Sequence, residues 1–240
     1  MVRTYWPFAA LSAGIAIAGF TFDSTSSARP QRTAQAPPQA KPHDYDHWEK
    51  EIAAYEAADR ANPPARGGIL FIGSSTIRMW NSLAQDFPGR NVINRGFGGS
   101  ELADSTHFIP RIGLEYEPKQ IFLRAGGNDI HAGRPSEEVA SDFADFVRTV
   151  RARLPDAEIV YITFNPAPSR WSENDKLQKL NALIKKESRR MRRVKLCDAY
   201  DICLDANGEA RRELFLPDML HFNAEGYKLL AARVRPFVRR

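Results

Sequence analysis

A serine near residue 75 lies in a sequence context that suits nucleophilic catalysis. Ser75 belongs to the run Gly73-Ser74-Ser75-Thr76, which directly follows a short apolar segment. A serine in the turn between a strand and a helix exposes its hydroxyl, and its backbone N–H lies at the helix N-terminus. That N–H can donate to a developing oxyanion. Gly-Ser-Ser also occurs in ordinary loops and helix caps, so this run alone has little specificity.

A candidate base and its orienting acid lie near the other end of the sequence. Asp218 precedes His221 by three residues, just before a helical pattern. At this spacing the carboxylate can fold back onto the imidazole, fix its tautomer and stabilise its protonated form. The remaining histidines are weaker candidates, because they lie beside the linker, on a helix surface or near the mouth of the site: His43, His47, His107 and His131.

Two further runs carry groups that can stabilise negative charge. In Gly96-Phe97-Gly98-Gly99 the backbone can approach a bound group closely, so the Gly99 N–H can point at an oxyanion. In Gly126-Gly127-Asn128-Asp129 the Asn128 amide can donate to the same oxyanion. We expect Asp129 to cap the following turn and not to take part in chemistry.

The runs that contain Ser75, Gly99 and Asn128 all follow predicted strands. Short apolar segments predict buried strands at residues 69–72, 92–94, 121–123, 159–162 and 194–197. Helices are predicted over 101–109, 136–154, 173–190 and 225–238, with Ser136 as an N-cap. This alternation favours a parallel sheet with helices on both faces. Because ligands bind at the carboxyl ends of such strands, we expect the runs to converge there.

In their order along the chain, the four runs resemble the sequence blocks of the SGNH hydrolases, a family named after the Ser, Gly, Asn and His of these four blocks. Ser75, Gly99 and Asn128 match the first three blocks, and Asp218 and His221 match the Asp-x-x-His of the last. The resemblance covers roughly residues 67–240. It implies a flavodoxin-like three-layer α/β/α sandwich around a parallel five-stranded sheet.

The resemblance also implies a serine esterase mechanism. His221, oriented by Asp218, would take the proton of Ser75. The backbone N–H groups of Ser75 and Gly99 and the side chain of Asn128 would form the oxyanion hole. No cofactor and no metal is required.

Two residues depart from the usual family pattern. Ser74 replaces the acid that commonly precedes the nucleophile, and Ser100 replaces the acid that is common after the second-block glycine. Together with Arg95 and His131 they are expected to lie next to the substrate. The run Ile77-Arg78-Met79-Trp80 is most similar to bacterial relatives of platelet-activating-factor acetylhydrolase.

The predicted substrate is an ester with a short acyl group such as acetyl, on a glycan or lipid. No apolar insertion that resembles a lipase lid lies between residues 67 and 240, and a long acyl chain needs an apolar groove. A non-catalytic glycan- or ligand-binding protein on the same fold is the alternative from another class. Lysophospholipase and thioesterase activities stay within the enzyme class.

Composition limits the other possibilities. A chain of 240 residues can form one well-buried domain with a tail, and its net charge is only +5. The basic run 189–193 is interpreted as a solvated helix end, and no nucleic-acid-binding motif or obligate protein partner is evident. Cys197 and Cys203 are too few for a disulfide scaffold. We interpret them as small buried side chains, and a disulfide between them remains open.

The N-terminal segment is typical of an export signal. Residues 1–28 combine Arg3, an apolar core and small residues at a cleavage site, and an uncleaved membrane anchor is the alternative. Export would place the protein in the periplasm or outside the cell. A Pro/Ala/Gln-rich linker is predicted over 29–43, an amphipathic helix packed on the domain over 44–66, and the hydrolase domain over 67–240.

Overall fold

The computed structural model describes residues 43–239, so the predicted signal and nearly all of the predicted linker lie outside the described residues. The sheet has five parallel strands in the order β2-β1-β3-β4-β5. This is the flavodoxin-like order, and it confirms the fold predicted from the sequence. The strands are β1 (Ile69–Gly73), β2 (Val92–Gly96), β3 (Gln120–Arg124), β4 (Glu158–Ile162) and β5 (Val194–Cys197).

Helices cover both faces of the sheet. The α-helices are α1 (Glu49–Ala61), α2 (Ser75–Arg78), α3 (Leu83–Asp86), α4 (Leu102–Ile112), α5 (Gly127–His131), α6 (Ser136–Arg153), α7 (Asn174–Ser188) and α8 (Ala224–Val234). Because side chains alternate along a strand, Leu70 and Ile72 pack with α1, α4, α6 and α7, while Phe71 packs with α2, α3 and α8. None of the helices within residues 43–239 is both long and apolar enough to cross a membrane.

An aromatic cluster fixes the short helix that carries Ser75. Phe71 of β1 stacks on Phe122 of β3 with ring centroids 4.5 Å apart, and Trp80 meets the Phe71 ring edge-on at 5.7 Å. All three are buried, and truncating such a ring costs about 3–5 kcal/mol. The Trp80 indole N–H also donates to Asp86 Oδ2 at 2.7 Å. These ring contacts therefore hold the C-terminal end of α2 against the sheet.

Helix α1 packs against the rest of the domain through its buried face. Ile52 is fully buried, and the Trp48 ring packs against Phe97 at 5.6 Å. The Tyr55 hydroxyl donates to the Gly96 carbonyl at 2.6 Å. These contacts connect the N-terminal helix to the loop that follows β2.

Several predicted element boundaries are wrong. Helix α4 continues past Ile109 through Pro110 to Ile112, because Ile109 and Ile112 are both fully buried and their packing outweighs the proline. Helix α8 ends at Val234, before a short 3₁₀ turn that contains Pro236. Ser136 is not an N-cap. It is the first residue of α6, and its hydroxyl donates to the Lys176 carbonyl at 3.0 Å.

The two cysteines are free and buried in the structure. Burial raises the pKa of both the Cys197 and the Cys203 thiol to about 12. Thiols with such high pKa values are poor nucleophiles near neutral pH.

Candidate active site

Ser75 is positioned by a turn that only glycine can make. Gly73 ends β1 with a φ of +144°, and a Cβ there would lie 2.1 Å from the Arg124 carbonyl oxygen. Ser74 lies next in the chain and is the residue preceding α2, whose first residue is Ser75. Within residues 43–239 the Ser75 backbone N–H donates to no protein acceptor. It is therefore available to a ligand at the helix N-terminus.

The structure brings Ser75, His221 and Asp218 into one hydrogen-bonded chain. The distance from His221 Nε2 to Ser75 Oγ is 2.9 Å, and that from His221 Nδ1 to Asp218 Oδ2 is 2.7 Å. A carboxylate only accepts, so Nδ1 carries the proton and Nε2 accepts from the serine hydroxyl. The arrangement allows the imidazole to withdraw the proton of Ser75.

Asp218 is kept ionised by the turn in which it lies. Its Oδ1 accepts from the backbone N–H groups of Leu220 at 2.9 Å and His221 at 3.0 Å. Burial is the largest single influence and raises the pKa of Asp218, but the hydrogen bonds from the His221 ring and from these two N–H groups together outweigh it and lower the pKa to about 2. The acid therefore holds a negative charge beneath the imidazole across the whole useful pH range.

A left-handed residue shapes the loop between the acid and the base. Met219 has a φ of +55°, which is unfavourable for a residue with a side chain. Its carbonyl accepts from both the N–H and the hydroxyl of Ser169, each at 3.0 Å, and its N–H donates to Leu216. These three bonds hold Met219 in the conformation that lets Asp218 reach the His221 ring.

Asn128 is oriented by two neighbours. Its Nδ2 donates to the Ser100 carbonyl at 3.0 Å, and its Oδ1 accepts from Arg170 Nη1 at 3.1 Å. These contacts define which side of the amide carries the nitrogen, and they leave one of its two N–H groups for another acceptor. Asn128 and Ser75 line the same pocket.

Gly99 lies in the loop after β2, one residue before the carbonyl that Asn128 contacts. Its φ is +84°, and a Cβ there would lie 3.3 Å from the Trp48 ring. Its backbone N–H donates to no acceptor within the described residues. Gly99 does not line the pocket that contains Ser75, so its place beside an oxyanion remains a prediction.

The pocket at the carboxyl ends of β1 and β3 has about 630 Å³ of space, part of it open to solvent. Its lining combines the polar groups described above with apolar side chains. Besides Ser75, Asn128 and His221, it is lined by Phe164, Leu177 and Phe222. A pocket of this size and mixed character can hold a small ester.

Of the four residues expected next to the substrate, only Ser74 lines this pocket. Arg95 is buried, and its guanidinium pairs with both oxygens of Asp59 at 2.6 Å beneath α1. Ser100 is fully buried, and its hydroxyl has no hydrogen-bond partner within the described residues. His131 is exposed, outside the pocket lining, with Nδ1 2.7 Å from Glu173 Oε1.

Three charged residues of the pocket were not predicted from the sequence: Arg124, Arg170 and Glu173. Arg124 ends the apolar strand β3, and a charged residue at that place was a usable signal. Arg170 and Glu173 belong to a 3₁₀ segment over Pro168–Glu173 that follows β4. Nothing in the sequence of that segment indicates that it reaches Asn128.

Asp129 does not cap the turn that follows it. Both of its carboxylate oxygens accept from the Leu102 N–H at the start of α4, at 3.2 Å, and Arg134 donates to it at 3.1 Å. Burial, together with the charge of Glu101, raises the pKa of Asp129 to about 7. Its role is to join α5 to the start of α4.

The sequence profile described as "GDSL-like Lipase/Acylhydrolase family" matches residues 72–229. No match was found among curated proteins.

Solved structures with the same fold include several hydrolases. A GDSL-like lipase from Bacteroides thetaiotaomicron is 19% identical, with a TM-score of 0.63 over 81% of this chain and 96% of that one. A proposed platelet activating factor from Streptococcus pneumonia is 21% identical, with a TM-score of 0.72 over 80% and 92%. A variant of an acetylxylan esterase from Geobacillus stearothermophilus is 13% identical, with a TM-score of 0.59 over 73% and 96%. At sequence identities of 13–21%, these matches show only that the folds are alike.

Proposed function

The chain belongs to the GDSL-like lipase/acylhydrolase family, as the resemblance in its sequence predicted, and we propose that it is a serine esterase that cleaves carboxylic esters. The observation that carries the proposal is the hydrogen-bonded chain from Ser75 Oγ through His221 to Asp218. Binding alone does not need a hydroxyl whose proton is directed at an oriented imidazole.

The reaction follows from the positions of these groups. His221 Nε2 takes the proton of Ser75 as Oγ forms a bond to the ester carbonyl carbon. The tetrahedral intermediate then loses the alcohol, which leaves with the proton from His221, and the acyl group stays on Ser75. Water, deprotonated by His221, attacks this acyl-enzyme and releases the acid and the serine hydroxyl. Asp218 stays ionised and stabilises the imidazolium in both halves of the reaction.

The oxyanion is proposed to bind between β1 and β3. Within residues 43–239 the Ser75 N–H and the remaining Asn128 N–H have no protein acceptor, and we assign the Gly99 N–H as the third donor. Donors fixed in place before the reaction stabilise the developing charge without reorganisation, and each is worth roughly 2.7–4 kcal/mol in the transition state.

Labelling with a fluorophosphonate probe tests the proposal. Such probes phosphonylate an activated serine, so the wild-type chain should be labelled and should hydrolyse p-nitrophenyl acetate. Ser75→Ala should lose both properties. Ser82→Ala is a matched control, since the Ser82 hydroxyl bonds to Asp86 outside the pocket. Absence of labelling in the folded wild-type chain would favour the non-catalytic binding protein.

We propose that the acyl group is short, acetyl to butyryl. The pocket is lined by both apolar rings and charged groups. Each methylene of a long acyl chain contributes ~0.8 kcal/mol of binding free energy only where it is buried among apolar groups. A series of p-nitrophenyl esters from acetyl to palmitoyl, compared by kcat/KM, tests this. A maximum at dodecanoyl or beyond would instead favour a lipase, and preference for thioesters or lysophospholipids would assign the related activities.

We also propose that residues 1–28 direct export, after which the chain acts in the periplasm or outside the cell. The basis is the order of Arg3, the apolar core and the small residues in the sequence. Fractionation of the native host followed by N-terminal sequencing tests this. A mature chain that still begins at Met1 would favour the membrane anchor.

A further inference from the structure

We propose that the pocket selects esters that also carry an anionic group, a carboxylate or a phosphate, and that Arg170 contacts this anion. The inference rests on the proposed ester hydrolysis at Ser75 and names a class of substrate for it. It is carried by two arginines of the pocket, neither of which has an acidic group of residues 43–239 within 4 Å of its nitrogens.

Arg170 presents an unsatisfied guanidinium beside the proposed oxyanion hole. Its side chain is half-buried and lines the pocket, and its one side-chain hydrogen bond within residues 43–239 is from Nη1 to Asn128 Oδ1 at 3.1 Å. None of the carboxylates in the described part of the chain lies within 4 Å of its nitrogens. A guanidinium has five N–H groups, and a planar anion can accept two of them at once.

Arg124 adds a second positive charge to the same pocket. Only 2% of this residue is exposed, and its Nη groups donate to the Thr163 carbonyl and to Asn165 Oδ1. Its Nε has no partner, and no acid within the described residues pairs with it. Burial of a cation without a counter-charge is costly. An anion bound in the pocket that Arg124 lines would compensate part of this cost.

The acidic groups near the pocket are already engaged. Glu173 lines it, but its carboxylate lies 2.7 Å from His131 Nδ1. Asp218 accepts from His221. The charge of Glu173 still acts on Arg170 from a distance, but neither acid contacts its guanidinium. The pocket lining therefore holds two guanidinium cations against one carboxylate.

The position of Arg170 limits where the anion can lie in the substrate. The guanidinium contacts the oxygen of the same amide whose nitrogen is proposed to hold the oxyanion. The anion must consequently lie within a few bonds of the ester carbonyl, in either the alcohol or the acyl part. An acetylated sugar that carries a carboxylate and a half-ester of a short dicarboxylic acid both meet this condition.

Two matched pairs of esters test the inference and distinguish these sources. In one pair the alcohol part carries the charge: 4-acetoxybenzoate against its methyl ester. In the other the acyl part carries it: phenyl hydrogen glutarate against methyl phenyl glutarate, with uncatalysed hydrolysis subtracted. The measured quantity is the ratio of kcat/KM for the charged ester to that for the neutral ester. Comparing this ratio between enzymes cancels the intrinsic reactivity of each ester.

In at least one pair we expect Arg170→Gln to lower this ratio at least tenfold, because a hydrogen bond to a charged group is lost. Arg170→Lys, which keeps the charge, should retain part of the preference. Arg148→Gln removes the same charge from an exposed place on α6 and should leave the ratio unchanged. Contact between Arg170 and Asn128 means that turnover of the neutral esters falls as well, which is why the ratio is compared.

Ratios that stay the same in the wild-type chain and in both Arg170 variants, for both pairs, would overturn the inference. The proposed function would still stand if the neutral esters are hydrolysed by the wild-type chain and not by Ser75→Ala. If the wild-type chain hydrolyses none of the esters, the proposed function itself fails. Thermal unfolding of each variant establishes that the folded enzyme is compared.

Discussion

Replacement of Asn128 by alanine is the sharpest test of the proposed oxyanion hole. One of the two Nδ2 hydrogens is occupied by the Ser100 carbonyl at 3.0 Å, so the side chain has one donor to offer in the transition state. Loss of one such donor typically lowers kcat by roughly 100- to 1,000-fold, or about 2.7–4 kcal/mol. KM should change little, because the donor acts on charge that develops only during the reaction.

Steady-state hydrolysis of p-nitrophenyl acetate measures both parameters. Asn128→Asp is the informative companion, because it keeps an acceptor for Arg170 but replaces the donor with a second oxygen. Its kcat should fall at least as far as that of Asn128→Ala. Asn207→Ala, at an exposed turn, is the matched control. A rise in KM with kcat unchanged would make Asn128 a substrate-binding residue and refute this role.

The remaining predictions concern the base, a buried acid and a strained turn. His221→Ala should abolish turnover as fully as Ser75→Ala, and Asp218→Asn should leave a measurable remainder in the same assay, since the acid only orients and stabilises; equal losses in all three would contradict this order. Asp129 has a pKa of about 7 against an ordinary 3.8. Between roughly pH 4 and 7 the folded chain therefore holds a proton that the unfolded chain has released, and the free energy of unfolding falls as the pH rises. In urea unfolding from pH 4 to 8, the free energy of unfolding of the wild-type chain should fall by up to about 4 kcal/mol more than that of Asp129→Asn. An equal fall in the two proteins would show that Asp129 is not its source. Met219→Val should lower both the melting temperature and kcat, because a β-branched residue adopts a φ of +55° at a cost of about 1–3 kcal/mol. Met219→Gly should keep both. Equal behaviour of the two variants would show that this turn is unstrained.

Much of the architecture could be predicted because buried parallel strands leave a direct mark on sequence. The runs that became β1, β3 and β4 are continuously apolar and fully buried, which distinguishes them from helix faces. The contact between Asp218 and His221 could also be predicted, because a single turn over three residues brings the carboxylate back to the ring. Features encoded within a few residues of one another were therefore accessible.

Features that depend on distant partners were not accessible. Arg95 was expected beside the substrate as a polar residue near the mouth of the site, but the pleat of β2 directs it towards Asp59, thirty-six residues earlier in the chain. Arg170 reaches Asn128 across forty-two residues. No periodicity or local motif encodes such pairings, because they depend on how the loops after β3 and β4 pack together. The contributions of Arg170 and Glu173 to the pocket therefore emerged only from the structure.

Helix α1 has a consequence for how this protein can be recombined with its relatives. The helix lies before residue 72, where the family profile begins, yet its Tyr55 hydroxyl contacts Gly96 and the preceding Trp48 ring faces Gly99. A chimera joined at the profile boundary would inherit the serine, the asparagine and the histidine from one parent. It would also receive a foreign N-terminal helix against the loop that follows β2. Exchange of catalytic domains should therefore succeed only when the crossover lies ahead of residue 46, so that this helix and the loop it supports travel together.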